Sequence, residues 1–251
     1  MCFSIEMSAG AAALGLVNTL ICAVVLRDFH MSACAGYFFL VEVLQVAQYL
    51  VIDECALPIN RFLTVLGLLH IAFQPVFSNL VLLRFAPNDR ARTELRYAIR
   101  LSVLGGLFLF GRWVFAGLAT MPFPDGAAAS HEWMVGPRTC SFHGPTHVGW
   151  ELPMVEVSYW TPSFFVHFFM MFGPMVLLAV GHNFPIIGVG ALFMSLTGPV
   201  LAAFISGDRF EQPAIWCFFS VSQIVVMYVY LLVIDPSKKP GAAGGKTTKA
   251  H

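Results

Sequence analysis

The sequence predicts an all-α, polytopic membrane protein with seven transmembrane helices, and three observations predict it. The chain is 58% apolar and only 11% charged, where a soluble domain carries about 25% charge. Too few charges are present to cover a water-facing surface, so lipid is the expected solvent. Seven apolar runs each approach the roughly 20 residues that cross about 30 Å of hydrocarbon. Finally, Lys and Arg segregate to alternate loops, which gives an orientation consistent with that span count.

The runs are 8–26, 33–52, 62–85, 99–121, 159–180, 185–206 and 214–234. Before the first run, Met1 to Ser8 hold Glu6 and no Lys or Arg. That lacks the basic start of a cleavable signal, so 8–26 is expected to be a retained helix. Lengths this large within single runs point to helices, because a strand barrel would show shorter alternating segments.

Arg84, Arg90, Arg92, Arg96 and Arg100 lie around the third connection, Arg27 in the first, and Lys238, Lys239, Lys246 and Lys249 in the tail. With seven spans these all fall on one side. Arg61, Arg138 and Arg209 fall on the other, with Glu6, Asp53, Glu54, Asp125, Glu132, Glu151, Glu156, Asp208 and Glu211. The basic side is the expected cytoplasmic side, which puts the N-terminus outside and the C-terminus inside. Residues 122–158 then form a long outer loop. Trp150, Tyr159, Trp160 and Trp216 sit near the outer boundary, where aromatic rings favour the headgroup layer. Residues 1–239 read as one membrane domain. The Gly-, Ala-, Lys- and Thr-rich 240–251 reads as a disordered tail. A zero net charge gives no reason to expect nucleic acid as a partner.

Ionisable groups inside spans cost about 2.5–3.5 kcal/mol on insertion scales and mark functional or paired positions. Here they are Glu42, His70, Arg112 and His167. Counted inward from the outer end of each run, all four sit at similar depth, with Asn18 and Gln223 beside them. Glu42, Gln45 and Tyr49 share one helical face, and His70 and Gln74 are i and i+4. The second and third spans form an antiparallel hairpin, so Glu42 is expected to approach His70. Arg112 would set the charge or act as the counter-ion of Glu42. Glu42, Gln45, His70, Gln74, Arg112 and His167 are therefore the candidate ligand or proton site. The bland alternative is interhelical glue, at about 0.6 kcal/mol per hydrogen bond. Pro75, Pro174 and Pro199 interrupt three spans and kink them.

In the outer loop Cys140, His143 and His147 form C-x-x-H-x-x-x-H, with His131 upstream. With Cys2, such a set could converge on a tetrahedral metal. The competing expectation is a disulfide from Cys140 to Cys55 or Cys2, favoured by an oxidising exterior and by the Gly144-Pro145 turn, which does not preset a chelate. Cys22, Cys34 and Cys217 lie inside spans as small apolar residues.

Met1-Cys2-Phe3-Ser4 on a seven-span chain, the segment His70-Ile71-Ala72-Phe73-Gln74-Pro75, and Cys140…His147…Trp150 resemble an uncharacterised family of multispanning membrane proteins that begins with those residues. The resemblance covers the chain except its tail and implies no activity. It directs attention to Cys2, His70, Gln74, Cys140 and His147. Two other seven-helix families fit poorly. Retinal proteins need a Lys in the last span, and 214–234 has none. Hydrolases that resemble alkaline ceramidases need more in-span His and an Asp.

Three functional expectations follow. The first is a transporter, channel or receptor-like protein for a small ion or small molecule, with lipid as its other partner and no cofactor. The second is a membrane enzyme or redox protein with zinc, copper or haem, in which His70 and His167 could be axial ligands. The third is a structural subunit of a membrane complex. The sequence leans away from an enzyme.

Overall fold

The computed structural model describes residues 3–118, 132–155 and 163–234. Among them, α1 (Ile5–Leu20) runs on through a π turn, Ile21–Val25. α2 (Phe29–Tyr49), α3 (Pro58–Phe85) and α4 (Asp89–Leu118) follow, then strands β1 (Cys140–His143) and β2 (Val148–Glu151), then α5 (Phe164–Gly181). α6 (Pro185–Ser195) continues through a π turn, Leu196–Val200, into α7 (Leu201–Ile205), and α8 (Gln212–Ile234) closes the bundle. The helices thus form seven rods. Cys2, His131, Tyr159, Trp160 and the tail 240–251 lie outside the described residues.

Local chemistry starts α1, α2 and α3 three or four residues before their apolar runs. Ser4 caps α1. Asp28 caps α2 by accepting from the Met31 amide at 3.1 Å. Pro58 opens α3, where its missing N–H costs nothing. Asn88 accepts from Ala91 N at 2.9 Å at the start of α4. α4 begins ten residues before the apolar run, so its first turns carry Arg90, Arg92 and Arg96 beyond the apolar part.

Among the described residues, six helices are long and apolar enough to cross a membrane. The seventh expected run coincides with α8, apolar over Gln212–Val226 among the described residues. α3 is the most enclosed of the six, 61% of its apolar window being buried, against 22% for α1. It packs on α2, α4 and α5, while α8 closes on α1, α2 and α6. The exposure pattern is inverted relative to a water-soluble protein. Val25 is 72%, Val180 80% and Phe204 85% exposed, whereas Glu42, Gln45, Gln48, Gln74 and Asn79 are wholly buried. Bundles with polar interiors and apolar outsides suit a hydrocarbon solvent.

Two irregularities have visible causes. Pro199 interrupts the sixth rod within the π turn. Gln223 of α8 reaches across to donate to the Met194 carbonyl at 3.2 Å and the Thr197 hydroxyl at 2.9 Å. Gly198 makes that approach possible, because a Cβ there would stand 2.5 Å from the Trp216 indole nitrogen. The second is the β1–β2 hairpin, which an all-α reading did not contain. It is antiparallel, pairing Cys140 with Glu151 and His143 with Val148.

Candidate functional site

The hairpin is folded into one end of the bundle rather than standing off it. Trp150 is wholly buried and donates its indole N–H to Gln48 Oε1 of α2 at 2.9 Å. Its ring covers Gly67 of α3, where a Cβ would lie 3.3 Å away. Asn60, at the start of α3, donates to the Ser141 and Val51 carbonyls and accepts from the Ser141 amide. Thr64 hydrogen-bonds the Ser141 hydroxyl at 2.8 Å. On the far side Glu211, just before α8, accepts from Thr146 N at 2.7 Å, Thr146 Oγ1 at 2.5 Å, His147 N at 2.9 Å and Ser206 Oγ at 2.6 Å. Gly144 permits this contact, since a Cβ there would collide with the Glu211 carboxylate.

Charge at this end follows from those bonds. Burial works against a charged Glu211, but the donors from His147, Ser206 and Thr146 outweigh it and hold the carboxyl below its ordinary value. Burial pushes the His147 imidazole down to about 4, opposed by the nearby Glu211 carboxylate. His147 also meets the Tyr49 hydroxyl through Nδ1 at 2.7 Å and stacks on Phe3 at 4.7 Å.

The metal set expected in this loop does not converge. Cys140 is bonded to Cys55, with α-carbons 5.0 Å apart, so its sulfur is committed. His143 turns to Asp53, 2.9 Å away, while His147 faces Tyr49. Among the described residues no three His, Cys, Asp or Glu groups gather as a metal would need. Cys2, the fourth expected ligand, lies outside them.

Further into the bundle the polar side chains of α2 and α3 divide. Gln45 donates to the Ala214 carbonyl at 3.2 Å and receives Ser8 at 3.5 Å. Gln74 donates to Cys217 Sγ at 3.2 Å, but its Oε1 has no partner. Asn79 donates to Ser102 and to the Met170 carbonyl. Glu42 is different: it is wholly buried and neither carboxylate oxygen has a hydrogen-bond partner. The Nε2 atoms of His70 and His167 are likewise buried and unpartnered.

Two sequence expectations about this layer need correction. The α2 residues on the His70 ring are Tyr37, stacked at 4.1 Å, and Phe38, edge-on at 6.0 Å. Tyr37 also donates to the His70 carbonyl at 2.5 Å, and Glu42 makes no hydrogen bond to His70. Antiparallel packing sets Tyr37, more than a turn from Glu42, level with His70. Second, Arg112 is not the counter-ion of Glu42. It pairs with Glu132 and donates through Nε to the Val155 carbonyl at 2.9 Å, so it belongs to the hairpin end. α5 starts at Phe164, later than the apolar run, which leaves His167 near its end.

His167 lines a void of about 10 Å³ between α3, α4 and α5, with Ala72, Gly106, Leu109 and Ser163. That is room for about one water. It is far below the roughly 300 Å³ at which pockets for organic ligands begin. The void beside this imidazole is too small for haem.

Sequence reasoning passed over Gln48, Asn60, Thr64 and Glu211. Gln48 alone carried a usable signal, lying i+3 from Gln45 on the face already marked. The others are tied to a hairpin that no periodicity announced. The family of unknown function DUF5765 matches residues 6–235, and the chain belongs to that family. No curated protein and no solved structure matches the chain.

Proposed function

We propose that this chain is a seven-span membrane protein, N-terminus outside and C-terminus cytoplasmic, that moves a proton or another small cation past Glu42. The observation that carries the reading is the Glu42 carboxylate, wholly buried with both oxygens unpartnered. A buried charge without a partner is costly. A proton or a cation is the partner that relieves the cost, and either needs no large cavity. Gln74 Oε1 on α3 and the one-water void beside His167 are further polar steps for such a path. The seven-span reading draws on the apolar exterior and on the basic end, where Arg84, Arg90, Arg92, Arg96 and Arg100 lie opposite the hairpin end.

The test is flux in liposomes loaded with a pH-sensitive dye, with a potassium diffusion potential set by valinomycin. Wild-type protein is expected to pass protons or sodium above the rate of empty vesicles, and Glu42→Gln to cut that rate tenfold or more. Flux equal to empty vesicles for both ions, or unchanged in Glu42→Gln, would overturn the reading. For orientation, reporters fused after Lys239 and inserted at Asp89 are both expected to read cytoplasmic. A second reading, a structural subunit, draws on the satisfied amides of Gln45 and Gln48. It predicts no flux, and co-purification with other membrane chains.

A further inference from the structure

The arginine-rich end carries a feature that a solvated charge run does not require. A groove of about 340 Å³ opens where the start of α2, the end of α3 and the first turns of α4 meet. It is lined by His30, Leu83, Arg84, Arg92 and Arg96. We infer that this groove binds a phosphate group, through Arg92 and Arg96 of α4 with His30 of α2.

Arg92 and Arg96 stand four residues apart on one face of α4, so both guanidinium groups can address one ligand. The acidic groups nearby are accounted for. Asp28 pairs with Arg84 at 2.6 Å, caps α2 through the Met31 amide, and lies 4.0 Å from His30 Nδ1. Asp89 is fully exposed and only 4.0 Å from Arg92. Arg96 has neither an ion-pair nor a hydrogen-bond partner among the described residues. The groove therefore holds three Arg against two carboxylates, and the unmatched charge sits on a guanidinium. Planar guanidinium donors match the oxygen geometry of phosphate and bind it in pairs. Arg90, by contrast, points to Glu94 at 2.9 Å and does not line the groove. Strongly exposed apolar side chains lie at the same end, among them Val25, Phe29 and Leu101. A phospholipid would lay its chains on such residues while its phosphate meets the arginines. A water-soluble phosphate ester offers the same headgroup chemistry without the chains.

The experiment uses the full chain, delipidated in a neutral detergent and followed by native mass spectrometry. Short-chain phosphatidylglycerol, phosphatidylcholine and inorganic phosphate are titrated separately. Saturable binding of phosphatidylglycerol at one site is expected, with the double change Arg92→Gln and Arg96→Gln weakening it about 30-fold, at about fivefold per basic residue. Arg90→Gln removes one charge from the same end and is expected to stay within about twofold. Phosphatidylglycerol much tighter than inorganic phosphate assigns the site to lipid. Comparable binding of both assigns it to a free phosphate group. No saturable binding of either, or an Arg90→Gln loss as large as that of Arg96→Gln alone, overturns the inference. Arg92 and Arg96 are exposed, so the variants are expected to melt with the wild type. Arg96→Gln alone serves if the double variant does not.

Discussion

Glu211 and Glu42 are both wholly buried carboxylates, yet one accepts four hydrogen bonds and the other none. The contrast extends to their surroundings. At the hairpin end Asn60, Thr64, Trp150 and Arg112 each have specific partners on another element. In the middle of the bundle Glu42, Gln74 and His70 keep buried polar atoms without one, as do Arg112 Nη1, His147 Nε2 and His167 Nε2 nearer the hairpin. Satisfied networks rigidify a fold, while unsatisfied buried groups are costly and are retained where something other than stability uses them. The hairpin end, where Glu211 and Asn60 are fully engaged, is thus the lock, and Glu42, with neither oxygen partnered, is the candidate working part.

The sharpest way to break this comparison is Glu211→Ala. It strands two amides and two hydroxyls in a buried site, so a loss of about 4 kcal/mol is expected, read as a fall in apparent Tm. A loss below about 1 kcal/mol would mean that the end is not locked. Next in size is the Cys55–Cys140 bridge, which joins positions 85 apart in sequence. Cys55→Ser is expected to cost about 2–4 kcal/mol. Denatured wild-type protein should titrate four thiols without reductant, from six cysteines less the bridged two, and six with it.

Acidification is the third test. His147 titrates near 4 in the folded chain against an ordinary 6.5, so the unfolded chain binds the extra proton between those values. The stability involved is whole above pH 6.5 and drains as pH falls toward 4, by up to about 3 kcal/mol. Glu211, held below 4.5, adds a loss in the same direction at still lower pH. Melting curves across pH 4–8 check this, and His147→Phe should flatten the slope between pH 6.5 and 4. The smallest effect is expected where burial is equal but partners are missing. Glu42→Gln should change stability by less than about 1 kcal/mol, or raise it, because it removes a charge that no neighbour holds. A loss as large as that of Glu211→Ala would erase the difference between the two regions.

The sequence by itself determined the helices and the arginine-rich end, because run length and charge placement are local properties that solvent reads directly. It also marked the Glu42–Gln45–Tyr49 face, which needs only the helical period. It could not decide partners. Arg112 finds Glu132 and Val155, and His70 finds Tyr37, because chain segments far apart in sequence are brought to one level by packing. The hairpin escaped notice because two strands of four residues, Cys-Ser-Phe-His and Val-Gly-Trp-Glu, are too short to show a period. Its place is set by Asn60, Gln48 and Glu211, each on a different element. Only the tertiary structure decided which buried polar groups are satisfied, since a hydrogen bond depends on where two atoms meet within about 3 Å, and composition carries no record of that meeting.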